Sequence, residues 1–257
     1  MDSTVDAISA ARDAVCAVLR ITRRREKRPS GKRKAGGTAA SSSVTFGVGF
    51  VGTAWCIAED RYLATAHHVL NNAKPREQDD RFYAFTVPGN GSPAYRFPVV
   101  GFPVEDPAND LAILELGPPA AAGQHVPALP VSLEHPPDGT RVLTYGFPAP
   151  AIKGANLDKD GNYLGGGQFF LKGHANEGII AAQYEFSNAW QFEFNVGWHH
   201  GESGGPVIVT ETGAAFAVMQ HYRNITSPHG VVAGPHIGRA LDVIRSELEN
   251  CGATILT

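Results

Sequence analysis

The string Gly201-Glu202-Ser203-Gly204-Gly205-Pro206 sets a serine among glycines. A serine hydroxyl is a weak nucleophile until a base takes its proton. Flanking glycines let the backbone bend tightly, so that the hydroxyl is exposed and nearby N–H groups converge. The N–H groups of Gly201 and Ser203 are the candidates to hold the oxyanion of an acyl-transfer intermediate. A plain Gly-rich turn between strands is the competing explanation of the string. Leu63-Ala64-Thr65-Ala66-His67-His68-Val69-Leu70 supplies imidazoles at the end of a short apolar strand. Imidazole is suited to general-base work, and with two side by side at least one is only structural. Asn109-Asp110-Leu111-Ala112-Ile113-Leu114 opens an alternating apolar strand with a carboxylate. Buried there, it would hold one histidine tautomer and stabilise the imidazolium; taken singly, it reads as a turn residue. The chain order His68, Asp110, Ser203 puts two of the groups in the first half of a strand-rich region and the third in the second half. The three would then meet in a cleft between two halves.

The elements that must position them begin near Val44. Short apolar runs separated by Gly, Pro and Asn predict strands at Val44–Cys56, Tyr62–Thr65, Phe82–Val87, Phe97–Val104, Ala112–Leu116, Arg141–Gly146, Glu177–Ala182, Gln191–Val196, Val207–Val209, Ala215–Gln220 and Val231–Ala233. Pro118-Pro119-Ala120-Ala121-Ala122-Gly123 breaks the series near its middle. Before it, Val5, Ile8, Ala11, Val15, Val18 and Leu19 recur at helical spacing and predict a helix over Ser3–Arg20. A basic and then Ala/Gly/Ser-rich linker follows, about 22–43, too polar to order itself. Ile237, Ala240, Leu241, Ile244 and Leu248 predict a closing helix over about 236–249. The organisation expected is residues 1–43 as helix and linker, then 44–257 as one all-β unit. That unit would hold two packed antiparallel barrels of six strands, about 44–120 and 124–235, with the C-terminal helix.

Composition bounds the class. The chain has 257 residues, 43% hydrophobic and 18% charged, as for a globular protein with a sizeable core, and a net charge of -3. Three widely spaced cysteines, Cys16, Cys56 and Cys251, are no disulfide framework, and no C-x-x-C suggests zinc. No apolar run has the roughly 20 residues a membrane helix needs, and the N-terminus lacks a secretory pattern. The expectation is a cytoplasmic protein without metal or cofactor.

With these motifs in hand, the chain resembles the chymotrypsin/trypsin-like serine peptidases, and within them the disulfide-poor HtrA-like bacterial branch, over roughly 44–248. Gly52-Thr53-Ala54-Trp55-Cys56-Ile57 resembles the strand before the catalytic histidine, and Gly139 to Pro148 the opening strand of the second barrel. The pattern Thr65-x-x-His68 selects His68 over His67. The resemblance implies a chymotrypsin-like double barrel and a serine endopeptidase with His68, Asp110 and Ser203 as triad. It also implies an oxyanion hole from Gly201 and Ser203, and a substrate pocket near Trp198, His200, Gln220, His221, Tyr222 and Gly230. No acidic residue falls at the base of that pocket, so a Lys or Arg preference is not expected. The sequence departs from the pattern in three places. Val69 stands where secreted members carry cysteine, Glu202 where Asp or Asn is usual, and too little chain follows Leu248 for a PDZ domain.

The expected partner is a protein or peptide substrate. A partner protein or a second copy could dock through residues 3–20, whose stripe lies outside the expected barrels, or that helix could pack back on the chain's own barrel. The role envisaged is either quality control or that of a partner-regulated effector in stress or defence. A catalytically silent protease-like binding module is the alternative. Nucleic-acid binding through the basic linker is not expected, because it lacks aromatic residues for stacking.

Overall fold

A computed structural model describes residues 3–25, 44–71, 75–87, 94–197, 199–227 and 230–256. Helix α1 (Ser3–Ala14) is followed without a break by strand β1 (Val15–Arg25). Then come β2 (Val44–Ala58), β3 (Tyr62–Thr65), the one-turn helix α2 (His67–Leu70), β4 (Arg81–Thr86), β5 (Tyr95–Asp106) and β6 (Leu111–Leu116). These six strands close a barrel in the order β1-β2-β3-β6-β5-β4, antiparallel throughout.

The second half contains the short β7 (Val131–Ser132), β8 (Arg141–Gly146), β9 (Ala151–Leu157), β10 (Tyr163–Phe170), β11 (His174–Phe186) and β12 (Ala189–Phe194). It continues with β13 (Pro206–Val209), β14 (Ala215–Ser227), β15 (Gly230–Ala240), a 3₁₀ turn (Asp242–Ile244), α3 (Arg245–Asn250) and β16 (Ile255–Leu256). Six of these strands run β13-β8-β11-β12-β15-β14, and β13 pairs back with β14, so a second barrel of six antiparallel strands closes. The expected all-β fold of two such barrels is what the chain adopts, and β3 and β8 have the limits read from the sequence.

The N-terminal segment departs from expectation. The helix ends at Ala14, and the residues after it are a barrel strand rather than helix and linker. Val15 to Ile21 are all buried, which an amphipathic helix with one solvated face would not be. Val15 and Val18 are β-branched and fit a strand packed on both faces. Even Arg20 is buried at 3% exposure, its guanidinium on Asp80 and the carbonyls of Leu70 and Pro75. Helix α1 buries Ala7, Ala11 and Ala14 against β4 and β8, one strand from each barrel. The stripe proposed to seek a partner is therefore covered by the chain itself, and of it only Val5 is exposed. Residues 26–43, most of the expected linker, lie outside the described residues.

The closing helix is likewise shorter than expected. Residues 236–240 belong to β15, because that strand is needed between β12 and β14 to close the barrel. Gly238 fits there because a Cβ would meet the Phe194 ring at 2.8 Å. The hairpin β9–β10, which sequence did not reveal, leaves the second barrel and packs on the first: the Tyr163 ring meets Phe85 edge-on and Phe169 packs on it at a tilt. Its turn is Asp158–Asn162, where both Asp158 carboxylate oxygens accept hydrogen bonds from Asp160 and Asn162. Cys16, Cys56 and Cys251 are free thiols, and burial pushes Cys56 up to about 12.

Candidate active site

Strand β3 ends in the one-turn α2, and this corner carries both histidines. His68 Nδ1 lies 2.8 Å from Asp110 Oδ2, and the His68 backbone N–H donates to Asp110 Oδ1 at 2.8 Å. A carboxylate only accepts, so Nδ1 carries the proton and Nε2 is left as the basic nitrogen. The His67 ring turns elsewhere, its Nε2 3.8 Å from Glu105 Oε2 and 3.5 Å from the Asn71 amide.

Asp110 has φ of 55°, the left-handed region, which an Asp tolerates better than most side chains. Its surroundings over-determine that strained conformation. Asp106 caps the turn through the N–H groups of Ala108 and Asn109, and the His67 N–H donates to the Asp110 carbonyl. From the other barrel, the buried Gln220 amide donates to the carbonyls of Asn109 and Asp110 at 2.7 and 3.3 Å.

Ser203 sits on a loop with no room for side chains. Gly204 has φ of 86°, and a Cβ there would fall 2.1 Å from the Thr53 carbonyl and 2.2 Å from Thr65 Oγ1. Thr53 of β2 holds the loop from the first barrel. Its N–H donates to the Ser203 carbonyl at 2.8 Å and its hydroxyl to the Gly201 carbonyl at 2.7 Å. The His200 carbonyl accepts from the Ala149 N–H at 3.2 Å. In a trans peptide the C=O and the following N–H point opposite ways, so the Gly201 N–H faces away from Ala149. The Ser203 hydroxyl donates to the Gln220 carbonyl at 2.9 Å and is not hydrogen-bonded to His68. His68, His200, Gly201 and Ser203 nevertheless line one open cleft of about 550 Å³. Its other walls are Val48, Phe50 and Val51 from β2 and Ala149, Pro150 and Ile152 at the root of the hairpin.

Glu202 is buried at 2% exposure, and desolvation pushes its carboxyl above the usual range against two hydrogen bonds that pull it down. Those bonds come from the His199 N–H and the Asn176 amide. Elsewhere Glu59, Asp60 and His125 form an exposed cluster, the one trio of this kind among the described residues. Its two carboxylates already face the two His125 nitrogens, at 3.5 and 3.0 Å. That suits a bridging imidazolium better than a metal ligand.

The profile of the trypsin-like peptidase domain matches residues 52–218, more than half of the chain. The chain belongs to the trypsin-like peptidase family. As a member it is a hydrolase of the serine endopeptidase class. No curated protein matches its sequence. Among solved structures it is similar to the HtrA-type protease AlgW with decapeptide, at 16% identity and a TM-score of 0.62, over 98% of this chain and 68% of that one. It is also similar to a serine-to-alanine variant of AlgW with decapeptide, at 15% identity and a TM-score of 0.60, over 97% and 67% of the two chains. At such identity the likeness concerns the fold.

Of the residues read from sequence, this peptidase brings His68 against Asp110 and sets His68, Gly201 and Ser203 around one cleft. The substrate-pocket residues are scattered. Trp198 lies outside the described residues. His200 lines the cleft, and its ring packs on Tyr222, centroids 5.9 Å apart. The Gln220 side chain is buried and braces the Asp110 loop. Gly230 pairs with Ser227 at the end of the β14–β15 ladder and is not among the residues lining this cleft. His221 lies near Asp110 and His68, and desolvation pushes it below the usual histidine range. Sequence reasoning missed the roles of Thr53, Asn176 and the hairpin root. Only the family's Gly-Thr pair before Ala54 could have hinted at Thr53.

Proposed function

We propose that His68, Asp110 and Ser203 form the catalytic triad of an endopeptidase that works through an acyl-enzyme. The observation that carries this is the pair of hydrogen bonds from His68 to Asp110, which leaves Nε2 as the basic nitrogen of a ring on the Ser203 cleft. Ser203 Oγ attacks the scissile carbonyl while His68 Nε2 takes its proton, and Asp110 stabilises the imidazolium. A χ1 change between staggered wells takes the hydroxyl off the Gln220 carbonyl for that step. The N–H groups of Gly201 and Ser203 hold the oxyanion; neither has an acceptor among the described residues. His68 then protonates the leaving amine, and water repeats the sequence on the acyl-enzyme.

A peptide is the substrate this cleft fits, and the AlgW structures carry a decapeptide. Val48, Phe50, Val51, Pro150 and Ile152 give the cleft an apolar wall for a substrate side chain. Incubation with a fluorophosphonate probe and with a peptide library tests the proposal. Labelling at Ser203 together with peptide cleavage is expected. A chain that neither labels nor cleaves is a binding module, and the triad assignment fails.

A further inference from the structure

The cleft at Ser203 has a direction. His68 Nε2 gives its proton to the leaving amine, so the residues after the scissile bond lie on the His68 side and the acyl residue lies opposite. The lining residues come from β2, the His68 corner, the hairpin root and the nucleophile loop, and none from β14 or β15. The other flank of Ser203 is β14, where its hydroxyl donates to the Gln220 carbonyl. On that flank the Tyr222 ring packs against the core of the second barrel and meets the rings of His200 and His236, centroids 5.9 and 6.3 Å away. A side chain on the acyl side meets this row of rings, whereas the leaving group meets the open cleft.

We propose that this peptidase selects its substrate on the leaving-group side, by an apolar side chain within the first two residues after the scissile bond. The wall that receives it starts at the nucleophile loop, where a Cβ on Gly201 would meet the Phe50 ring at 3.0 Å and Pro150 Cδ at 3.3 Å. Ile152 extends the wall along β9 and is paired with Phe169 of β10. Phe169 packs on Phe85 of the first barrel, centroids 5.6 Å apart, so the hairpin is anchored beside the cleft. Val48, Phe50 and Ile152 are only partly buried, and a substrate side chain laid on them takes apolar surface out of water. Among the described residues, no Asp, Glu, Lys or Arg lines the cleft, so a charged side chain there would lose water and gain no partner. The main chain has a place as well. Over Val48–Phe50, β2 pairs with β1 on one edge, and β3 joins its other edge only from Trp55 onward. An extended leaving segment can add to that second edge.

The inference rests on the triad reading above, and the test separates the two. p-Nitrophenyl acetate acylates Ser203 without a fitted peptide. The acetyl-enzyme is then offered glycylglycinamide, leucylglycinamide or glycylleucinamide. The amine nitrogen bonds to the acetyl carbon and passes its proton to His68 Nε2. The ester bond to Ser203 Oγ breaks as Oγ takes a proton from His68. This step is the reverse of acylation by a peptide, so the N-acetyl product formed above the Ser203→Ala background reads the leaving-group side alone. Leucine in at least one of the two positions should raise capture about tenfold or more over glycylglycinamide. Ile152→Asp puts a charge on the wall and should cut that advantage about fivefold or more. Equal capture of the three amides by the unaltered chain overturns the inference, as does a leucine advantage unchanged in Ile152→Asp. The comparison on the unaltered chain decides the matter by itself if the variant does not fold. A chain that releases no nitrophenolate beyond the Ser203→Ala background overturns the triad reading instead.

Discussion

His68 and Asp110 are held mainly by their own barrel. Both lie at the ends of adjacent strands, β3 and β6, and hydrogen-bond each other through backbone and side chain. Ser203 stands on a glycine-rich loop that is held largely by other elements. Thr53 grips it from β2, Ala149 from the start of the hairpin, Asn176 from β11 and Met219 from β14. The exception on the first side is Gln220, which reaches across from the second barrel. A corner built by neighbouring strands is fixed once those strands pair. A loop built from distant contacts is sensitive to substitutions far from it in sequence, and the nucleophile's side should therefore be the fragile half.

The strongest test is chemical. Ser203→Ala and His68→Ala should each lower kcat/KM by about four to six orders of magnitude without unfolding the chain. His67→Ala, whose ring faces Glu105, should stay within about tenfold of the parent. Comparable losses in both histidine variants, measured on one peptide substrate, would undo the division of roles at this corner. Next come the glycines. Gly204→Ala brings a Cβ onto the Thr53 carbonyl at positive φ and should cost about 3 kcal/mol or more in denaturant unfolding. Gly213→Ala, at φ of 70° but in open space, should cost only about 1–2 kcal/mol. Equal costs would mean that the nucleophile loop is no more constrained than a surface turn.

Thr53→Val sharpens the comparison. It takes the hydroxyl from the Gly201 carbonyl and an acceptor from the Phe147 N–H, at about 1–3 kcal/mol. kcat should fall about tenfold, although Thr53 touches no substrate. Full activity in this variant would show that the loop holds itself. The smallest effect belongs to His125, which the Asp60 hydrogen bond raises above the usual histidine range. A raised histidine stabilises the fold below its unfolded pKa, and that contribution disappears as pH rises through the folded value. His125→Ala should therefore lower the melting temperature slightly at mildly acidic pH and not at alkaline pH. The exposed pair is worth under about 1 kcal/mol. A larger loss at alkaline pH would assign His125 a packing role instead.

Much of the scaffold was legible. β3 and β8 were readable because an apolar run bounded by turn residues is a local signal. β1 was not, because its stretch also satisfies a helical period, and only burial on both faces distinguishes the two. The hairpin β9–β10 escaped because Gly165, Gly166 and Gly167 argue against a strand. It is held by rings on the first barrel that no local window contains.

The sequence by itself determined the chemistry on offer. A serine among glycines, a histidine after a short strand and an aspartate before another are local patterns, and side-chain reactivity travels with the residue. Tertiary structure alone decided how those groups are aimed. Thr53 reaches Gly201 across 148 residues and Gln220 reaches Asn109 across 111. Such bonds form only when closure of both barrels brings the partners within 3 Å, and no sequence spacing encodes that distance.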